Sequence, residues 1–247
     1  MRIAIAQPTY LPWLGYFDLI DQVDAFVFLD TVQFEKQSWQ QRNRIKTAAG
    51  LQWLTVPVRI KGRSTQAIQD VEIAEPLFYI KHLHLISEHY RNACNFKDFY
   101  PAFSSLLKHL AQDGRLAEMN MRLIEWFAAR LRIRTPLLRS SRLGVQGKRS
   151  TLNLTICEAL GADEYYSAVG SADYLLQDVN LFLDRGIAVF FQNYRHPEYG
   201  QLFPPFSSFA SIIDLLMNEG AGAPEIVRHG RNAPLEPSQL ARYATPA

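Results

Sequence analysis

The residues best suited to chemistry begin in one turn near the start of the chain, Gln7-Pro8-Thr9-Tyr10-Leu11-Pro12-Trp13-Leu14-Gly15-Tyr16-Phe17. Its aromatic side chains, Tyr10, Trp13 and Tyr16, could stack on a base or a sugar. Gln7 could donate and accept hydrogen bonds at the end of a strand. The prolines could equally stiffen a turn with the three rings packed beneath it. Both interpretations stay open on spacing alone.

A basic segment follows. It contains the cations Lys36, Arg42, Arg44 and Lys46 and the uncharged side chains Gln33, Trp39 and Asn43. Guanidinium groups bind phosphate or carboxylate through two parallel hydrogen bonds, and amides add neutral orientation. The segment therefore suits the pyrophosphate of a nucleotide-sugar. The alternative is a solvated basic loop.

A third segment, Gly144-Val145-Gln146-Gly147-Lys148-Arg149-Ser150-Thr151, leads into a predicted helix from Leu152. Glycines, two cations and hydroxyl groups at a helix start predict an anion site that includes Lys148 and Ser150. Its glycine spacing does not match the P-loop. The alternative is that Ser150 or Thr151 only caps the helix.

Asp30 and His196 are the candidates for general acid–base chemistry, with Gln7 as an orienting group. Asp30 follows a predicted strand over Ala25–Leu29, and His196 follows another over Ile187–Gln192. An imidazole has an ordinary pKa near neutrality, as a general base requires. His196 could also be a loop residue without a role. We find no Ser-His-Asp arrangement.

The predicted elements place these segments at one edge of a sheet. An apolar run over Arg2–Ala6, an amphipathic stretch over Phe17–Val23 and the strand over Ala25–Leu29 predict a βαβ unit. We expect an α/β fold, a mostly parallel open sheet flanked by helices, similar to Rossmann and nucleotidyltransferase folds. In such folds ligands bind beyond the carboxyl ends of the strands.

The remaining pattern predicts one α/β domain over residues 1–230 with a helical insertion at about 77–134. Strands are expected over Gln52–Val58 and Ala67–Ile73. Residues 231–247 contain prolines and few apolar side chains, which predicts a poorly ordered tail.

Composition excludes several classes of protein. The chain has 247 residues, 48% hydrophobic and 20% charged, with a net charge of +2, which gives no reason to expect nucleic acid as a partner. No apolar run reaches the ~20 residues of a membrane span, and the first residues do not match a secretory signal. Cys94 and Cys157 form no disulfide framework, and we predict no metal site. We expect a cytoplasmic protein.

Several motifs together resemble the WbqC-like protein family. They are Gln7-Pro8-x-Tyr10-x-Pro12-Trp13-x-Gly15-Tyr16-Phe17, Phe26-Val27-x-Leu29-Asp30-x-Val32-Gln33-Phe34, Trp39-x-x-Arg42-Asn43-Arg44-Ile45-Lys46, Trp53-Leu54-Thr55-Val56-Pro57-Val58, Leu160-Gly161-Ala162 with Tyr165 or Tyr166, His196-Pro197-x-Tyr199-x-Gln201 and Ser211-Ile212-Ile213-Asp214-Leu215-Leu216. The resemblance covers most of residues 1–220. It implies a role in bacterial surface-polysaccharide (O-antigen) synthesis, in which transfer of glycine or a similar group to a sugar has been suggested.

From the residues and the resemblance together, we expect a transferase that attaches a small acyl or aminoacyl group to a nucleotide-linked or phosphorylated sugar. The first alternative is an enzyme that uses ATP and magnesium to transfer a nucleotide or to form an adenylate. The first turn, however, lacks the paired histidines of nucleotidylyltransferases. A non-catalytic nucleotide-sugar-binding protein is the second. The cofactor stays unassigned between ATP with magnesium and an acyl donor. We expect the basic segment and the Lys148–Ser150 segment to line one positively charged pocket.

Overall fold

A parallel five-stranded sheet forms the centre of the structure, a computed structural model that describes residues 1–63 and 65–240. In chain order the strands are β1 (Arg2–Ala6), β2 (Ala25–Phe28), β3 (Arg42–Thr47), β4 (Gly50–Thr55), β5 (Leu137–Arg139), β6 (Glu164–Ser167) and β7 (Ala188–Phe191). The helices are α1 (Leu14–Asp21), α2 (Phe78–Tyr90), α3 (Phe96–Ala111), α4 (Leu116–Arg130), α5 (Ser150–Ala159), α6 (Ala172–Leu175), α7 (Val179–Leu183), α8 (Ile212–Glu219), α9 (Ala223–His229) and α10 (Pro237–Leu240).

The strand order of the central sheet is β5-β2-β1-β6-β7, and every pairing in it is parallel. β1 and β2 are short apolar runs, as expected for strands that are covered on both faces. The chain builds outward from β1 to β5 and then crosses back over β1 to start β6. The strand order therefore reverses between the neighbours β1 and β6. Sheets of this type bind ligands at such a switch point, beyond the carboxyl ends of the two strands. The predicted α/β fold with an open parallel sheet is confirmed.

Helices cover the two faces of the sheet, as in doubly wound folds. One buried cluster joins α1, α8 and the block α2–α4 to the face that carries Ala4 and Phe26. The other joins α5 and α7 to the face that carries Ile3, Ile5 and Val27. Alternate residues of β1 thus enter different cores, since successive side chains of a strand point to opposite faces.

The block α2–α4 lies between β4 and β5 in the chain, within the residues where a helical insertion is predicted. The division of the chain into one domain with an insertion stays a prediction. The packing is consistent with it, because Phe103, Phe127 and other residues of the block belong to the same buried cluster as α1. Phe17 of α1 meets Phe127 edge-to-face, with 6.1 Å between ring centroids.

One sequence-based assignment was wrong. The predicted strand over Ala67–Ile73 is a 3-10 turn, Ile68–Asp70, flanked by isolated bridges such as Val58 with Ile73. The polar segment, for which no secondary structure was predicted, contains β3, which pairs antiparallel with β4. The pairing turns Asn43 and Ile45 inward, while Arg42 and Arg44 lie on the opposite face of the hairpin.

The first ten residues of the predicted tail are packed against the molecule. Arg231 pairs with Asp18 at 2.9 Å and with Asp21 at 2.7 Å. Leu235 and Phe191 exchange two backbone hydrogen bonds, and α10 follows. The rest of the predicted tail, 241–247, lies outside the described residues. No helix in the described part of the chain has the length and apolar character needed to cross a membrane.

Candidate functional site

A pocket of about 300 Å³ opens beyond the carboxyl end of β1. Its walls come from the turn after β1, the first turn of α1, the segment before β3, β3 itself and a loop near the end of the chain. The lining residues are Thr9, Pro12, Trp13, Tyr16, Trp39, Asn43, Arg44 and Phe209. Five of the predicted binding residues therefore meet at one place, namely Trp13, Tyr16, Trp39, Asn43 and Arg44.

Trp13 forms the centre of the aromatic wall. Its ring stacks on His196 with 5.9 Å between centroids and meets Phe209 at 5.1 Å. Gly15 permits this position, because a Cβ atom there would come within 2.2 Å of the Trp13 ring. Tyr16 donates its hydroxyl hydrogen to the Gln7 carbonyl at 3.0 Å, which holds the turn against α1. Trp13 and Phe209 are far apart in the sequence, and no pattern in the sequence predicted that their rings would be in contact.

Asn43 fixes the backbone of the turn rather than reaching freely into the pocket. Its amide nitrogen donates to the Leu11 carbonyl at 2.7 Å and to the Tyr10 carbonyl at 3.2 Å. Its side-chain oxygen accepts from the Arg44 N–H at 2.8 Å. Leu11 has φ +47°, a left-handed conformation that a branched side chain seldom adopts. These bonds therefore stabilise an unusual turn at the pocket wall.

Two arginines of β3 stack on exposed tryptophans at the rim of the pocket. The Arg42 guanidinium lies 4.3 Å from the Trp53 ring centroid, and that of Arg44 lies 5.4 Å from Trp53 and 5.5 Å from Trp39. In the described residues, no carboxylate lies within ion-pairing distance of either guanidinium. We call Trp39, Arg42, Arg44 and Trp53 the arginine–tryptophan stack. It carries two positive charges that no acidic side chain of this region compensates.

Lys46 continues the same face of β3 but is buried. Its Nζ donates to the Pro205 carbonyl and, at 2.6 Å, to Ser207 Oγ. The residue is 3% exposed and does not line the pocket. The placement indicates that Lys46 anchors the loop over residues 194–210, which we call the strap, and corrects its prediction as a phosphate ligand.

The strap carries Phe209 and is also anchored by a buried carboxylate at the start of α8. Asp214 accepts hydrogen bonds from the Tyr90 and Tyr199 hydroxyls, both at 2.7 Å, and from the Gln201 amide at 2.8 Å. Burial raises the pKa of Asp214 above its ordinary value, although the three hydrogen bonds oppose this. The network joins α2, α8 and the strap.

His196 lies in the strap behind the aromatic wall. Its ring contacts Trp13 and Phe209, both of which line the pocket, while His196 itself does not. Nδ1 hydrogen-bonds with the Pro197 carbonyl at 2.9 Å, and Nε2 is buried without a hydrogen-bond partner in the described residues. Burial lowers the pKa of His196 below its ordinary value, so the neutral imidazole is favoured at pH 7.

Asp30 and Gln7 are engaged in contacts within the protein. The Asp30 carboxylate accepts from the hydroxyls of Ser140 and Ser141, at 2.8 Å and 2.7 Å, and from the Ser141 N–H at 3.0 Å. It is 2% exposed and ties the end of β2 to the turn after β5. Gln7 Oε1 accepts from the Gln40 amide at 2.8 Å. Their catalytic roles stay predictions, and these contacts supply a structural role for each.

Tyr10 is a core residue, which corrects its prediction as a stacking platform. Its ring is fully buried, and its hydroxyl lies 2.9 Å from His82 Nδ1. Gln33 and Lys36 are exposed on the segment after β2 and lie outside the pocket lining. A ring that points into the core cannot contact a ligand, whatever the turn that carries it.

Lys148 and Ser150 lie at the start of α5, which packs on the opposite face of the sheet from α1. Neither residue lines the aromatic pocket. The expectation that this segment and the basic segment share one pocket was therefore wrong. The described residues contain no cluster of three or more His, Cys, Asp or Glu side chains that could hold a metal ion.

Comparisons with known proteins show the family to which the chain belongs. The family model described as "WbqC-like protein family" matches residues 7–226. The chain is 35% identical over 231 residues to "Uncharacterized protein Rv1507c" of Mycobacterium tuberculosis, an alignment that covers 93% of this chain and 99% of the relative. No solved structure matches the chain significantly. The chain belongs to the WbqC-like protein family.

Proposed function

We propose that this protein is a transferase that attaches a small acyl or aminoacyl group to a phosphate-linked sugar, such as a nucleotide-sugar of surface-polysaccharide synthesis. The observation that carries the proposal is the arginine–tryptophan stack at the rim of an aromatic pocket. The pocket volume, about 300 Å³, lies at the lower end of the range for small-molecule sites. It suits one sugar ring, with the phosphate outside it.

The chemistry of the lining supports this orientation of the ligand. Trp13, Tyr16 and Phe209 offer ring faces and edges on which the apolar face of a sugar can pack. Arg44 lines the pocket and Arg42 lies beside it on the same strand face. Because both guanidiniums lie over tryptophan rings and lack acidic partners among the described residues, they are free to bind the oxygens of a phosphate or diphosphate.

His196 is the group that we assign as general base. An oxygen or nitrogen of the sugar forms a bond to the acyl carbon of an activated ester or thioester, and the bond from that carbon to the leaving group breaks. The sugar's proton passes to His196 Nε2, which is neutral and has no other partner in the described residues. Phe209 is 47% exposed, lines the pocket and contacts this imidazole with 5.4 Å between ring centroids. Its displacement would bring the base to the ligand.

A non-catalytic binding protein is the second candidate, and one observation favours it. The residues that line the pocket include no acidic side chain and no histidine. A pure binding protein needs only the ring faces and the arginines. The two candidates differ in the effect of His196→Gln: turnover is lost and binding kept in the transferase, whereas no activity is present to lose in the binding protein.

Tryptophan fluorescence of the full chain tests the site, because Trp13 and Trp39 both line the pocket. The titration uses a panel of nucleotide-sugars, each beside its free nucleotide and free sugar. Arg44→Gln removes a charge-assisted pair of hydrogen bonds and should weaken nucleotide-sugar binding about 10- to 100-fold. Arg91→Gln, at an exposed arginine after α2, is the matched control and should bind like the wild type. Equal affinities of the two variants, or no binding by any member of the panel, would reject the proposal.

A further inference from the structure

The start of α5 lies on the other side of the central sheet from the aromatic pocket, near the switch point. α5 forms the crossover from β5 back to β6, which pairs directly with β1. Its amino end therefore lies at the carboxyl edge of the sheet, as in other crossover helices of this topology. The Asn153 amide, in the first turns of α5, donates to the Tyr165 hydroxyl of β6 at 3.1 Å. This contact fixes the helix start beside the end of β6.

The chain folds tightly onto the first turn of α5. Gly147 has φ +153°, and a Cβ atom there would come within 2.8 Å of the Leu152 backbone. The Lys148 N–H donates to Thr151 Oγ1 at 3.2 Å. Arg149 precedes the helix and makes no side-chain capping hydrogen bond. The amino end of a ten-residue helix therefore keeps its partial positive charge without an acidic cap.

The hydroxyl of Ser150, the first residue of α5, is the unusual group of this region. Ser150 is 1% exposed, and its Oγ has no hydrogen-bond partner among the residues described. Buried hydroxyls nearly always have a partner, because an unpartnered one carries the full desolvation penalty. An unused donor in the first turn of a helix is a group that a bound anion would satisfy.

The surrounding charge has the sign that an anion requires. Lys148 and Arg149 are both exposed, and neither forms an ion pair with any described carboxylate. The two cations, the amino end of the helix and the Ser150 hydroxyl thus occupy consecutive positions of the chain. Their combined preference is for a compact dianion.

We propose that residues 147–151 form a second ligand site, which binds the phosphate or diphosphate of a second substrate such as a nucleotide. The site does not share a lining residue with the aromatic pocket. It would give the protein two ligand sites at the carboxyl edge of the sheet, one on each face. Ser150 Oγ would donate to a phosphate oxygen, with Lys148 and Arg149 beside it.

Ser150→Ala separates a ligand role from a structural one. Because the hydroxyl has no partner in the free protein, its removal should leave the melting temperature unchanged or higher. Inorganic pyrophosphate, ADP and ATP are each titrated against the full chain by calorimetry and thermal shift, and binding raises the wild-type melting temperature. The variant should bind whichever of the three compounds the wild type binds with an affinity at least about tenfold lower.

Three further variants complete the test. Lys148→Gln with Arg149→Gln should weaken binding and reduce its salt dependence, whereas Lys108→Gln, at an exposed lysine of α3, should not. Arg44→Gln should leave the part of pyrophosphate binding that depends on Ser150 intact, so this site and the aromatic pocket can fail independently. A response to ADP or ATP but not to pyrophosphate would identify a nucleotide as the ligand. The proposal is overturned if none of the three compounds binds, if Ser150→Ala binds like the wild type, or if binding is lost only with Arg44→Gln.

Discussion

Replacing Tyr90 with phenylalanine tests the buried network that anchors the strap. The Tyr90 hydroxyl donates to Asp214 Oδ1 at 2.7 Å and accepts from the Lys46 N–H at 2.9 Å. Tyr90→Phe removes both hydrogen bonds and leaves a buried carboxylate oxygen and a buried N–H without these partners. Tyr199→Phe removes the hydrogen bond to Oδ2 and the 3.3 Å bond that the Tyr199 hydroxyl accepts from the Gln201 amide. Oδ2 keeps its 2.8 Å bond from that amide, and the amide also donates to the Ser207 carbonyl at 3.0 Å.

The expected losses differ in size for this reason. A hydrogen bond to a charged group contributes about 1.5–3 kcal/mol, and a buried N–H left without a partner costs about 1–3 kcal/mol. We therefore expect Tyr90→Phe to lower the free energy of unfolding by about 3–5 kcal/mol. Tyr199→Phe should lower it by about 1.5–3 kcal/mol, because it removes a hydrogen bond to the carboxylate but leaves no buried N–H without a partner.

Urea denaturation, followed by tryptophan fluorescence and circular dichroism, measures the two free energies. Tyr100→Phe is the matched control, since the Tyr100 hydroxyl donates one neutral hydrogen bond to the Leu83 carbonyl at 3.1 Å. Its loss should be about 1 kcal/mol. The expected order is Tyr90 above Tyr199 above Tyr100. Equal losses for Tyr90→Phe and Tyr199→Phe would refute the reasoning, because Asp214 would then not depend on the bonds described.

Three other predictions follow from buried ionisable groups. Burial lowers the pKa of His82 to about 4, so the unfolded chain takes up a proton first as the pH falls from 6.5. The free energy of unfolding of the wild type should fall by about 3 kcal/mol more than that of His82→Phe between pH 6.5 and 4, and parallel pH profiles would contradict this. Arg231→Gln leaves the fully buried Asp18 without its cation. Urea denaturation should show a free energy of unfolding about 2–4 kcal/mol lower than that of the wild type, and an unchanged value would contradict a stabilising role of the ion pair. Burial raises the pKa of Cys157 to about 12 while Cys94 is exposed, so a thiol reagent at pH 8 should label one site per native chain and two after unfolding.

The central sheet could be predicted because its strands and helices have clear periods. β1, β2 and β7 are apolar runs, and α2–α4 repeat their apolar residues at helical spacing. β3 could not be recognised in this way. Arg42, Asn43, Arg44 and Lys46 make it a polar segment, and it forms because the hairpin with β4 pairs its backbone and the aromatic turn covers one face. Whether such a polar segment forms a strand is determined by its tertiary contacts and not by its local sequence pattern.

The candidate site was predictable only in its local part. The turn after β1 and the basic segment were both identified, and each contributes to the pocket. Residue type could not show that Tyr10 points into the core while Trp13 faces the pocket. It also could not show that Lys46 is held by the strap. Both outcomes depend on contacts with distant residues, His82 in the first case and Ser207 in the second.

The segment that ends the described chain also pairs with the last residue of the outer strand β7. Leu235 uses both of its backbone groups on Phe191, the last residue of β7, and a second bridge joins Tyr194 to Arg231. An outer strand with unpaired backbone groups invites pairing with another molecule. Here those groups at the end of β7 are already taken by the protein's own chain. A truncation before Arg231 would uncover them and favour self-association of the shortened protein.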